Sequence, residues 1–251
     1  MTPLSPPSME PVPVEFTVEG LVSYWNVDRD QLISLRSLFS FLQEAAVKHA
    51  DKVGAGAHGT ATRGESWVLQ RMSVSIERYP RYEEPLRVVT WSSGIRAFKG
   101  YRDFRVYAGA QCVVSASSVW IYLNVAERAI CRVPRELVDA FPTKPGAAHC
   151  PDLEDLRWEV PAADAPARVL SLRYSDIDSN HHVNNTVYFD LLQTALAAEG
   201  RDARPRSLAI QFLREIPAAK DQVAVFLQAH ADGVSFGLGP PTERFAHGRL
   251  G

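Results

Sequence analysis

Between residues 35 and 49 apolar side chains recur at helical spacing. Leu35, Leu38, Phe39, Leu42, Ala45, Ala46 and His49 fall at i, i+3, i+4, i+7, one face of an amphipathic helix. Gly54 and Gly56 follow as stop signals. The period then changes. Val68, Gln70, Met72, Val74 and Ile76 alternate with Leu69, Arg71, Ser73, Ser75 and Glu77, which predicts a strand with one set on each face. "LRVVTWSSG", "YRDFRVYAG" and "VVSASSVWIYLNV" continue at the spacing of an antiparallel meander. The same order returns further on: a helix over 185–198, then "SLAIQFLREI", "QVAVFLQAH" and a last pair of strands ending near Arg249. The predicted class is α+β, a long helix buried against an antiparallel sheet, twice over.

The two halves also echo each other residue by residue. At one constant offset Tyr24 pairs with Tyr174, Val27 with Ile177 and Asp28 with Asp178, and Leu42, Gln43 and Ala45 pair with Leu192, Gln193 and Ala195. A repeat of this kind points to duplication of a whole domain. "FPTKPGAAHCPDLEDLRWEVPAADAPA" between the halves is rich in Pro and Ala and reads as a linker. The expected organisation is a disordered, proline-containing tail over 1–13, a first unit over 14–140, a linker over 141–166 and a second unit over 167–251.

Composition narrows the function classes. With 46% apolar and 22% charged residues in 251, the chain can bury a sizeable core. A net charge of −2 argues for neither nucleic acid nor a membrane surface as partner. Three cysteines, none in a C-x-x-C pattern, fit reduced thiols better than a disulfide framework or a zinc site. "MTPLSPPSMEPVPV" has neither the basic nor the apolar region of a secretory signal, and no apolar run nears the roughly 18 residues of a spanning helix. A cytoplasmic location is expected.

The candidate chemistry lies in "RYSDIDSNHHVNN", residues 173–185. The stretch has no helical apolar period and is rich in turn formers, so it is expected to run extended or turn-like. In an extended segment residues i, i+2 and i+4 share a side, and Asp178, Asn180 and His182 are expected to converge just before a helix N-terminus. Free N–H groups there favour developing negative charge. A carboxylate, a carboxamide and an imidazole so placed suit acyl hydrolysis: His182 or a nearby carboxylate deprotonates water, Asn180 orients it, and helix N–H groups hold the oxyanion. The blander reading makes Asp178 and Asn180 turn formers, Asn184 a helix cap and His182 a surface residue. The repeat favours the site, because the first half has Asp30 and Leu32 where the second has Asn180 and His182.

Other motifs carry less. "GVSFG" places Ser235 in a G-x-S-x-G pattern, but it follows Asp232-Gly233, a hairpin signal, and no helix comes after it. Adjacent His181 and His182 diverge in an extended segment, and no i, i+4 His pair or Cys cluster accompanies them, so no metal is expected. Asn184-Asn185-Thr186 is formally a glycosylation sequon, expected to stay unmodified without a signal peptide. No phosphate-cradling loop or dinucleotide fingerprint is present, and no cofactor is expected.

"SDIDSNHHVNNTVYFDLL" resembles the signature of acyl-acyl carrier protein (acyl-ACP) thioesterases of the bacterial type, an Asp-x-Asn-x-His run followed by Val-Asn-Asn. "LFSFLQEAAVKHADKVG", "WVLQRMSVSIERYP" and "VVTWSSG" resemble the same family's N-terminal portion. The resemblance implies two tandem hotdog units, each a long helix wrapped by an antiparallel sheet, and hydrolysis of fatty acyl-ACP to free fatty acid in fatty acid biosynthesis. It maps catalytic Asp, Asn and His onto Asp178, Asn180 and His182, and a further catalytic Glu, on a strand after the helix, onto Glu215. The Cys that follows this Glu in plant relatives is Ile216 here. A thiolate nucleophile is therefore not expected, leaving direct attack by water or a transient anhydride.

The partners implied are acylated ACP and a fatty acyl chain, with no nucleic acid and no membrane insertion; a homodimer stays open. The first-half helix and its sheet are the natural lining for an acyl slot. Arg201, Arg204 and Arg206, or Arg96, Lys99, Arg102 and Arg105, are candidate landing sites for an acidic carrier. Competing readings are an acyl-CoA thioesterase of the same fold, a hydratase using an Asp/His pair, and a non-catalytic acyl- or carrier-binding module.

Overall fold

The computed structural model describes residues 12–57 and 63–251. Most of the expected tail, residues 1–11, lies outside the described residues. Helix α1 (Leu35–Asp51) buries the face its period predicts, from Leu35 through His49. The Ser34 hydroxyl accepts the Ser37 N–H at its start. Gly54, at φ +66°, lets the chain turn away after its end.

Strand β1 (Glu15–Leu21) precedes this helix, and β2 (Glu65–Ile76), β3 (Pro85–Arg96), β4 (Lys99–Ala108), β5 (Gln111–Asn124) and the short β6 (Ala129–Ile130) follow it. After the single-turn helix α2 (Arg135–Ala140), residues 141–166 carry no strand or helix. The second half then supplies β7 (Ala167–Ser171), α3 (Val187–Ala198), β8 (Ser207–Phe212), β9 (Gln222–His230), β10 (Gly233–Leu238) and β11 (Ala246–Leu250).

The described strands form a single antiparallel sheet in the order β1-β3-β4-β5-β2-β8-β11-β10-β9-β7, with β6 paired to β5. Read outward from the β2–β8 junction, the two halves have the same strand order, so the repeat in the sequence is a repeat of topology. Among the described residues, no helix is long and apolar enough to cross a membrane.

One expectation about β2 changes. Its pairing with β5 shifts register between Leu69 and Arg71, and an extra residue there inverts the alternation upstream. Leu69 therefore joins Met72, Val74 and Ile76 in the core, while Val68 is left 43% exposed.

Both helices lie in one apolar core shared by the halves. The Phe39 and Phe189 rings stack with centroids 3.4 Å apart. Gln193 on α3 accepts the Leu35 N–H (3.0 Å), capping α1 from the other half, and donates to the Ala203 carbonyl (3.0 Å). Arg36 of α1 reaches Asp176 and Asp190.

His49 is fully buried between α1 and the sheet. Its Nε2 donates to the Pro13 carbonyl and its Nδ1 accepts from Arg102, both at 3.0 Å. Burial, with the Arg102 charge, pushes this imidazole down to about 4. An unfolded histidine titrates near 6.5, so as pH falls the unfolded chain binds this proton first. The stabilisation is present above about pH 6.5 and lost on the way to pH 4, a swing of roughly 3 kcal/mol for a shift of this size. Urea midpoints are expected to fall over this interval, and to fall less in His49→Gln.

Candidate active site

The stretch, expected to run extended or turn-like, closes a tight loop. Asp178 N–H donates to the His182 carbonyl (2.9 Å) and His181 N–H to the Asp178 carbonyl (3.0 Å). The Asp178 carboxylate accepts the Asn180 N–H (2.9 Å) and faces Asn184 Nδ2 at 3.4 Å. His181 takes φ +61° to complete the turn. Local side chain-to-backbone bonding by Asp outcompetes the extended form. Asn180 is thereby carried to the exposed tip, where its carboxamide makes no hydrogen bond among the described residues.

This loop is a property of the repeat. In the first half Asp28 N–H donates to Leu32 O (2.8 Å), Gln31 N–H to Asp28 O (3.0 Å), and Asp28 Oδ1 accepts the Asp30 N–H (2.9 Å). Gln31 also sits at φ +61°. The shared Asp is thus a loop former in both copies. What differs is the chemistry mounted on the loop: Leu32 in one copy, His182 in the other. Arg204 further occupies the first-half loop by pairing with Asp28 and Asp30.

The loop edge brings His182 to Glu215. His182 Nε2 lies 3.1 Å from Glu215 Oε1, with both side chains about one-third exposed, at 32% and 35%. Val183 N–H donates to Ile216 O (3.0 Å), and residues 182 and 217 form a bridge, so the two segments are fixed side by side. Glu215 does not lie on a strand, as expected, but in the irregular segment beyond the end of β8 at Phe212. Its backbone is held by Tyr188, whose hydroxyl accepts the Ile216 N–H (3.2 Å) and approaches Arg214 O at 3.5 Å. The Ile216 side chain is fully buried.

Sequence reasoning missed Tyr188 and Arg128. Arg128, on the β5–β6 turn of the other half, forms an ion pair with Glu215. Only the chain's path across the molecule makes them neighbours. Burial lowers the proton affinity of His182, Asp178 opposes this, and the Arg128 and His181 charges add to it. A neutral His182 that donates Nε2–H to Glu215 keeps a free Nδ1 lone pair. That is the arrangement of a base oriented by a carboxylate.

The helix-terminal oxyanion donors expected from sequence are largely spent. Helix α3 starts at Val187 rather than 185 because Asn184 builds a preceding turn. Its Oδ1 accepts Thr186 N–H (2.9 Å) and Oγ–H (2.8 Å), and its carbonyl accepts Val187 N–H (2.9 Å). Asn184 thus builds the turn ahead of the helix and does not cap it as expected: the N-cap is Thr186, with no side-chain cap bond.

Beside Asn185 and Thr186 a small, partly open apolar cavity of about 20 Å³ is lined by Phe39, Leu42, Leu69, Met72, Phe104, Trp120 and Phe189. Its lining comes mostly from the first half. An open depression of about 660 Å³ between residues 162–168, Glu199, Arg201 and β9 touches none of the candidate catalytic residues.

Ser235 acquires an unexpected setting. Its hydroxyl is 2.8 Å from His230 Nε2, and His230 Nδ1 is 3.0 Å from Glu159, the order of a Ser-His-Glu triad. Ser235 is only 1% exposed in mid-strand β10, which leaves its hydroxyl out of a substrate's reach. The trio ties the 141–166 segment to the sheet. A fluorophosphonate probe is expected to leave Ser235 unlabelled.

The basic clusters proposed from sequence are also committed elsewhere. Arg201 pairs with Glu199, Arg204 with Asp28 and Asp30, and Arg206 donates to Glu77 O. Arg102 is buried, Lys99 pairs with Glu154, Arg96 lies over Tyr101, and Arg105 donates to Phe104 O and Ala147 O.

Comparison with known proteins decides the family. The acyl-ACP thioesterase N-terminal domain matches residues 13–141 and the C-terminal domain matches residues 161–238. The chain belongs to the acyl-ACP thioesterase family. A palmitoyl-ACP thioesterase of Gossypium hirsutum is 26% identical over 230 residues, 86% of this chain and 55% of that protein. One of Arabidopsis thaliana is 26% identical over 82% of this chain and 52% of that protein. The chain thus spans about half the length of these plant relatives. The fold matches a solved acyl-ACP thioesterase of Bacteroides thetaiotaomicron, with TM-score 0.82, 21% identity, and 94% of this chain and 96% of that one covered. It also matches the 12:0-ACP thioesterase of Umbellularia californica, with TM-score 0.79, 19% identity, and 95% and 96% covered.

Proposed function

We propose that this protein hydrolyses fatty acyl-ACP to free fatty acid and ACP, as a step of fatty acid biosynthesis. The observation that carries the reading is the His182–Glu215 contact at 3.1 Å, set on the one copy of a repeated loop that carries an imidazole. The two topological repeats serve as tandem hotdog units over 14–140 and 167–251, joined by 141–166. The first has lost the reacting groups and keeps the acyl slot; the second carries the chemistry.

Glu215 accepts the Nε2–H of His182 and fixes its tautomer, leaving Nδ1 to take a proton from water. The water oxygen adds to the thioester carbonyl, with the Asn180 carboxamide holding water or substrate. The C–S bond then breaks, and the departing sulfur takes the proton from His182. A thiol of pKa about 8.5 is a good leaving group and needs little acid assistance. Asp178 supports the pair through the loop it shapes. A cysteine thiolate has no part: Ile216 stands beside Glu215, and burial, with Glu65 and Glu127, pushes the Cys131 thiol up.

The neutral form of His182 is the base, so kcat is expected to rise with pH and level off, with its inflection below the ordinary 6.5 of histidine. Arg128→Gln removes one of the charges that disfavour the imidazolium, and its inflection is expected at higher pH.

The deciding experiment measures thiol release from a panel of acyl-ACPs and acyl-CoAs. Faster turnover of acyl-ACP supports the reading. Preference for acyl-CoA replaces the substrate, and no hydrolysis by folded protein leaves a non-catalytic acyl-binding module.

A further inference from the structure

We propose that the carboxamide of Gln43, on helix α1 of the first half, donates a hydrogen bond to the thioester carbonyl oxygen during hydrolysis at the second half. The inference rests on the thioesterase reading and adds to it the side chain that stabilises the oxyanion.

The repeat supplies the comparison. Gln43 and Gln193 are equivalent positions, and so are Leu35 and Asn185. Gln193 is spent: its Oε1 accepts the Leu35 N–H from the other half and its Nε2 donates to Ala203 O, both at 3.0 Å. Gln43 makes neither bond, and its carboxamide has no hydrogen bond among the described residues. The Asn185 N–H, which it would cap by analogy, is also without a partner among them.

The cause is local. In the first half Ser34 caps α1, and the helix starts at Leu35. In the second, Asn184 stands at the equivalent position and draws the Thr186 N–H and hydroxyl into a turn, so α3 starts at Val187. That delay of two residues takes Asn185 out of the helix and leaves Gln43 nothing to cap.

The freed groups do not face bulk solvent. Gln43 and Asn185 are half-buried, and both line the small cavity among Phe39, Leu42, Phe104 and Phe189. The other polar lining groups are committed: the Thr186 hydroxyl donates to Asn184 Oδ1 and the Trp120 indole to Ser118 Oγ. Asn185 lies three residues past His182 on the same loop. A thioester whose acyl chain enters this cavity therefore brings its carbonyl to Gln43.

As the water oxygen bonds to the carbonyl carbon and its proton passes to His182, the C=O electron pair moves onto the carbonyl oxygen. Gln43 offers two neutral N–H donors, and in an apolar setting such a donor favours the charged transition state over the neutral ester. The pair returns to C=O when the C–S bond breaks.

The test compares Gln43→Met, which keeps length and loses the donors, with Gln43→Glu, which keeps an accepting oxygen and cannot donate. Both are assayed as folded whole chains on one acyl group carried by ACP and by pantetheine. The kcat of each variant is expected to fall on the order of 100-fold, with KM nearly unchanged. The loss should be equal on the two substrates, since both present the same carbonyl. Urea midpoints of both variants should stay near wild type, whereas Gln193→Met, which breaks two bonds, lowers it. Retained kcat in Gln43→Met or in Gln43→Glu overturns the inference, the latter because a glutamate still serves as a cap. A loss confined to acyl-ACP overturns it as well. If wild type cleaves neither substrate, the thioesterase reading fails and takes the role of Gln43 with it; if wild type cleaves both and Gln43→Met does too at full kcat, only the role of Gln43 fails.

Discussion

His182→Ala is expected to lower kcat on acyl-ACP by roughly 100- to 10,000-fold, the range that a positioned general base contributes. The loop should survive the change. Its closing bonds run between the Asp178 and His182 main chains and from the Asn180 amide to the Asp178 carboxylate, and none uses the imidazole. His182 is also about one-third exposed, so removing it leaves no deep cavity. Circular dichroism and the urea midpoint are therefore expected to stay near wild type while turnover collapses. Glu215→Gln keeps the volume but loses the charge that orients His182, and a comparable loss is expected. Near-normal turnover by folded His182→Ala would sink the assignment, and the base would then be sought in Glu215 alone.

Phe189→Ala carries the largest expected cost in stability, about 3–5 kcal/mol for a buried aromatic truncated in a packed core. Phe189 is 1% exposed, stacks on Phe39, meets Phe212 edge-on, and lines the small apolar cavity. Its loss weakens the contact between the two helices and hence between the two halves. It also opens the cavity beside Asn185 and Thr186, so acyl groups that the wild type processes poorly for size are expected to gain relative to the preferred one. Urea denaturation gives the first effect and an acyl-ACP competition assay the second. Destabilisation without any change in acyl preference would place the acyl chain elsewhere.

Much of this architecture is legible without coordinates because its signals are local. The seven apolar positions from Leu35 to His49 repeat at helical spacing and are buried as expected. Asp232-Gly233 marks a hairpin, which put Ser235 in a strand rather than on a nucleophile elbow. The echo of Tyr24 and Asp28 in Tyr174 and Asp178 anticipates a doubled topology.

The failures share a cause. The alternation along β2 could not reveal its bulge, because a slip between Leu69 and Arg71 is a matter of register with β5. Asp178, Asn180 and His182 were expected to share a side by counting residues, yet the Asp178 carboxylate bonds the chain two residues on and turns Asn180 outward. Arginines counted as a basic cluster proved to be Arg204 holding Asp28 and Arg201 holding Glu199.

The sequence by itself determined which copy of the repeated loop carries an imidazole and a carboxamide and which carries Leu32 and Asp30, since residue identity and short-range spacing are properties of the chain. Tertiary structure alone decided which of them meet. Glu215 reaches His182 because residues 183 and 216 share a backbone hydrogen bond, and Arg128 reaches Glu215 from the opposite half of the molecule. Contacts between segments distant in sequence depend on the path of the whole sheet, and no local pattern encodes that path.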